Sequence, residues 1–118
     1  MNAPVKITYR HMNASEVLDA RINMLAQRLE VLCGDVVEWR VVMEAPVHHQ
    51  HQGKLFVVHV VAVVPGEELV IDRDPPKPSH DDAQVALADA FRSMRRRLQE
   101  YVRVRRHDVK RHSLPTAP

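Results

Sequence analysis

Val5, Ile7 and Tyr9 alternate with Lys6 and Thr8, the period-two pattern of a strand with one buried face. The period then changes. Leu18, Ile22, Leu25, Leu29 and Leu32 recur at steps of four, three, four and three, which at about 100° per residue gathers them on one side of a helix. Asp19, Asn23, Gln27 and Glu30 take the opposite side, and Arg21 and Arg28 share one flank of the apolar stripe. Ser15, directly before Glu16, is the expected N-cap, with Asn13 as the alternative. Gly34, in the left-handed conformation, is the expected stop.

Val36 to Glu44 again reads as a strand, with Val37, Trp39, Val41 and Met43 inward and Glu38, Arg40 and Glu44 outward. A polar hairpin loop, APVHHQHQGK, leads to a second long strand, Leu55 to Val64. Placing His59 outward there turns Phe56, Val58, Val60 and Ala62 inward. The segment PGEE is a tight turn in which Gly66 supplies a positive φ, and Leu69 to Asp72 is the returning strand. Three prolines in RDPPKPS rule out helix or central strand. The last element starts at Ser79, His80 or Asp81, with Asp81 and Asp82 in its first turn. Leu87, Phe91, Met94, Leu98 and Tyr101 repeat the helical spacing, widened by Ala83 and Ala90.

The order is therefore β-α-β-β-β-α. Neither helix buries its stripe alone, so the economical fold is an α+β two-layer sandwich: a mostly antiparallel four-stranded sheet with both helices on one face. The 118 residues make one domain over 1–112, with a disordered tail at 113–118. Aromatics are only 4% of the chain, so the core is built from Val, Leu, Ile, Ala and Met.

Charge changes the picture. The chain has 17 basic and 15 acidic residues, yet residues 92–111 alone hold nine Lys or Arg against two acids. Such a block predicts a polyanionic partner. In the last helix Arg92, Arg96 and Arg103 fall opposite the apolar stripe, Arg95 and Arg106 flank them, and Lys110 rejoins the line if the helix extends that far. This outer face lacks acids for i,i+4 pairs, so its like charges repel unless an external anion compensates. Eight of the nine are arginines, whose planar fork matches phosphate. Arg21 and Arg28 join this surface if their flank faces the last helix. Without exposed aromatics to stack on single-stranded bases, recognition through shape and backbone is expected, as for structured RNA.

Other chemistry is sparse. His48, His49 and His51 in the hairpin loop are weak metal candidates, since a stable site needs three or four fixed ligands. Cys33 is the only cysteine, and no nucleophile–base constellation or phosphate loop is present. An enzyme is not expected, nor a cofactor. The N-terminus has no signal-peptide pattern and no apolar run is long enough to span a bilayer. A cytoplasmic protein without a membrane partner follows.

The element order, the VVPGEELVIDRDPP hairpin and strand, the EAPVHHQHQGKLFVVHV segment and the HDDAQVALADAFRSMRRRLQEY helix resemble the bacterial ribosome hibernation-promoting and ribosome-associated inhibitor family, over roughly residues 4–110. The resemblance implies a dsRBD-like fold and a partner, the 30S subunit and its 16S rRNA, whose mRNA and tRNA channel the domain occupies in stress or stationary phase. It also implies that Arg92, Arg95, Arg96, Arg103, Arg106, Lys110, Arg21 and Arg28 meet rRNA phosphates. Longer members carry a C-terminal domain that pairs ribosomes; this short form is expected not to pair them by that route. Two alternatives remain: a metal-binding His loop, and a protein-interaction module self-associating through the open sheet face (Glu38, Arg40, Val42, His59 and Val61). The protein itself is expected to be a monomer or weak dimer.

Overall fold

The computed structural model describes residues 3–45, 55–72 and 78–113. Its elements are β1 (Val5–Arg10), α1 (Glu16–Leu32), β2 (Glu38–Glu44), β3 (Val57–Val64), β4 (Glu67–Ile71), a 3-10 turn (Pro78–Asp81) and α2 (Ala83–Ser113). The strands stand in sequence order, β1-β2-β3-β4. β1 and β2 are parallel, with Val5 opposite Trp39 and Tyr9 opposite Met43. A parallel neighbour cannot be reached by a tight turn, so the chain crosses over through α1. The other two pairings are antiparallel, with Val41 opposite Val60 and Ala62 opposite Leu69.

Both helices pack on one face. Leu18, Ile22, Ala26 and Leu29 of α1 and Leu87, Phe91, Met94, Leu98 and Tyr101 of α2 close over Trp39, Val41, Met43, Val60, Ala62, Val64 and Leu69. Trp39 lies 6.1 Å from the Phe91 ring. Its indole N–H donates to Glu30 Oε2 at 3.0 Å, and Glu30 Oε1 accepts the Ala3 N–H at 3.0 Å. One carboxylate thus satisfies a buried donor and ties down the start of β1. Nearby, the Tyr9 hydroxyl donates to Asp19 Oδ1 at 2.7 Å. Burial, then the Asp19 hydrogen bond and charge, push the phenol up to about 12.

Several boundaries differ from the sequence expectation, each for a local reason. Ser15 is the cap, its Oγ accepting the Leu18 N–H at 3.2 Å. α1 stops without a left-handed Gly34: Cys33 turns extended (φ −142°) while its N–H still reaches the Leu29 carbonyl. Among the described residues the glycine with positive φ is Gly66 (φ 88°), in a two-residue hairpin that leaves Glu67 and Glu68 in β4. Val37 is 57% exposed, because Val36 takes the inward place as the chain swings from α1 into β2. β3 starts at Val57, not Leu55. Asp81 closes the 3-10 turn, and Asp82 precedes α2 rather than joining its first turn; its Oδ1 caps the N–H groups of Gln84 (2.8 Å) and Val85 (3.4 Å). α2 runs to Ser113, one residue into the expected tail; 114–118 lie outside the described residues.

α2 sets the shape of the molecule. Its 31 residues make a rod about 46 Å long at 1.5 Å per residue. Among its described side chains Tyr101 is the last buried one, anchored by its hydroxyl to the Pro65 carbonyl at 3.1 Å. Arg103 to His107 are all exposed, so over this stretch the helix has left the core.

Candidate nucleic-acid interface

The arginine face follows from the packing of α2. With Leu87, Phe91, Met94, Leu98 and Tyr101 committed to the core, Arg92, Arg95, Arg96, Arg97, Arg103 and Arg106 stand in solvent. They are not electrically alike. Arg92 donates to Asp89 Oδ1 at 2.5 Å, and Asp89 Oδ2 is 2.9 Å from Nε2 of the buried His80. The His80 hydrogen bond first, then Arg92, hold the Asp89 carboxyl below the usual carboxylate range. Arg103 grips Glu100 with two nitrogens, at 2.6 and 3.2 Å, and that grip lowers the Glu100 carboxyl likewise. The expectation of a face without local acids is therefore corrected: two of its arginines have acids one turn back, at i−3 rather than i−4. Arg95, Arg96 and Arg106 make no ion pair with any described residue. Arg105 turns away, over the Tyr101 ring at 5.5 Å.

α1 adds to the same side. Asp19 and Glu30 reach toward β1 and β2 from one flank, holding Tyr9, Ala3 and Trp39. Helical phase puts Arg21, Leu25, Arg28 and Leu32 on the other flank. Leu32 lines a groove of about 410 Å³ with Gln99, Val102, Arg103, Arg106 and His107 of α2, so that flank is the one turned toward α2. The sequence had left this choice open. Arg28 is exposed; Arg21 is half-buried, its Nε enclosed without a hydrogen-bond partner among the described residues. Lys110 falls within α2, beyond the last side chain described. His48, His49 and His51 lie outside the described residues. Among the described residues no group of three His, Cys, Asp or Glu is placed to hold a metal. Burial pushes the Cys33 thiol up, away from the reactive thiolate.

Sequence reading missed Asp89, Glu100, His80 and the groove residues Leu32, Gln99 and Val102. The i,i+3 spacing of Asp89–Arg92 and Glu100–Arg103 was a usable signal; the groove was not readable, because it exists only where two helices meet.

The opposite face of the sheet is open. Val42, Val57, Val61 and Val63 are half-buried there and Val70 is 41% exposed, around the half-buried His59. Lys6–Glu38 (3.6 Å), Arg40–Glu38 (2.5 Å) and Arg40–Glu68 (3.4 Å) form a chain of ion pairs across it. Among the described residues no helix is long and apolar enough to cross a membrane.

Fold and charge together define a class: an α+β domain of dsRBD-like plan whose second helix is long, exposed and basic. Residues 5–106 match the family model described as Sigma 54 modulation protein / S30EA ribosomal protein. The chain belongs to that family, a family of ribosome-associated proteins. It is similar to the crystal structure of the Thermus thermophilus Protein Y N-terminal domain, with TM-score 0.63, 12% identity, and coverage of 86% of this chain and 99% of that one. It is also similar to a ribosomal subunit interface protein from Coxiella burnetii, with TM-score 0.66, 13% identity, and coverage of 83% and 96%. At these identities the likeness is one of fold. No curated protein sequence matches the chain.

Proposed function

We propose that this protein is a cytoplasmic translation inhibitor that docks on the 30S subunit through 16S rRNA phosphates and occupies the mRNA and tRNA channel during stress or stationary phase. The carrying observation is the set of exposed arginines with no acidic partner among the described residues: Arg95 and Arg96 on the core-packed stretch of α2, and Arg106 beyond it. Arginines without an acidic partner among the described residues are suited to an external polyanion. Family membership supports the ribosome as that polyanion. Inhibition is by occupancy, which needs no catalytic group and no cofactor. Sedimentation with purified 30S and 70S particles over a salt series tests it. Co-pelleting at low salt, lost on changing Arg95, Arg96 and Arg106 to Glu, is expected. No co-pelleting at any salt rejects the ribosomal target.

The open sheet face favours a second reading, weak self-association. β3 is apolar on both sides, a pattern usual for strands covered on both faces, yet only one of its faces is covered by helices. The basic outer edge, Lys6 and Arg10 on β1, complements Glu68 on β4 if a second copy lies face to face about an axis along the strands. Four strands about 4.8 Å apart and about 17–26 Å long offer roughly 400 Å² per copy, at the low end for a specific interface. Sedimentation equilibrium decides it: a monomer at all concentrations, or a dimer indifferent to Val61→Glu, removes this reading.

A further inference from the structure

The groove between the end of α1 and the rear of α2 holds more than phosphate binding requires. Phosphates need charge and hydrogen-bond donors, not an apolar surface. Here the half-buried Leu32 and Val102 form an apolar floor beneath Arg103, Arg106 and His107, with Gln99 at the edge. We propose that it is a nucleotide slot: one unpaired nucleotide of the bound RNA seats its base against Leu32 and Val102, its base edge at Gln99 and its phosphate at Arg106. This rests on the RNA-binding reading above and narrows it to one subsite.

Two observations and one general property of arginine favour this occupant. The volume of about 410 Å³ lies within the usual range for small-ligand sites, roughly 300–1,000 Å³. The rim is basic, and Arg106 has no ion pair with a described residue. Arginine planes stack on unpaired bases, which replaces the aromatic platform this surface lacks. A helical peptide fits poorly. Gln99 to His107 spans about 12 Å of helix, and the floor offers two apolar contacts where an amphipathic helix presents anchors at i, i+3 or i+4, and i+7.

The test is a titration of the methyl-labelled full chain with adenosine monophosphate at low salt, followed by NMR. Ribose 5-phosphate and inorganic phosphate serve as the charge-only probes. The Leu32 and Val102 methyl signals should move upfield with adenosine monophosphate, through the ring current of the stacked base, and not with the other two. Arg106→Gln and Gln99→Ala, both at exposed positions, should weaken binding roughly 3- to 10-fold, as expected for one hydrogen-bonded contact each. Silent methyls, or equal movement with inorganic phosphate, would mean a charge-only surface and overturn the slot. Pelleting with 30S particles is measured alongside. A chain that pellets while its methyls stay silent loses the slot alone. Ring-current shifts without pelleting keep the slot and remove the ribosomal target.

Discussion

Replacing Arg95, Arg96 and Arg106 together by Gln removes three positive charges that have no acid to release among the described residues, and leaves good helix formers at exposed positions. If each neutralises one RNA phosphate, the slope of log affinity against log salt becomes shallower by about 0.7 to 0.9 per contact, so by about 2 to 3 in all. At about 0.1 M salt the same relation makes the loss roughly 100- to 500-fold. Changing Arg92 and Arg103 to Gln should cost less, because each must first leave Asp89 or Glu100. The complementary change, Glu100→Gln, frees Arg103 and should tighten binding slightly, since an exposed ion pair holds its partner only weakly. The assay is a filter-binding or sedimentation isotherm with 30S particles at five or six salt concentrations. A slope that the triple variant leaves unchanged, or a larger loss from the Arg92/Arg103 pair, would refute the assignment of phosphate contacts to the unpaired arginines.

Other outcomes test the scaffold. Glu30→Ala strands the Trp39 indole N–H and releases the start of β1; a loss of about 1–3 kcal/mol is expected from urea unfolding monitored by the fluorescence of this single tryptophan. Leu98→Ala, at a fully buried position, should cost about 2–5 kcal/mol in the same assay. Tyr9, raised to about 12 when folded against about 10 unfolded, favours the fold fully below pH about 10. That stability should fade as pH rises toward 12, and pH-dependent unfolding of Asp19→Asn should show a smaller fade. Asp89, lowered by His80 and Arg92, stabilises the fold above its unfolded value of about 3.9. The contribution disappears as pH falls through the lower folded value, an acid-side loss that Asp89→Asn should lack.

How much was legible differs by scale. Element types and order followed from periodicity, because a stripe at steps of three and four has one way to be buried and an alternating segment has another. Leu87, Phe91, Met94, Leu98 and Tyr101 were named from spacing and all lie in the core. The outward direction of the arginines followed from the same phase. Boundaries were less legible, since they depend on which backbone group finds a partner: Asp82 capping from outside α2, Cys33 ending α1 in place of Gly34. Along α2 the sequence alone determined which side is wet; along α1 it put Asp19 and Glu30 on the wet side, whereas both turn in to hold Tyr9 and Trp39. Which arginines keep their charge available was decided by rotamers that Asp89 and Glu100 capture. Which flank of α1 meets α2, and the apolar-floored groove this creates from Leu32 and Val102, was decided only by tertiary packing. A contact between residues some seventy positions apart leaves no periodic trace in either segment.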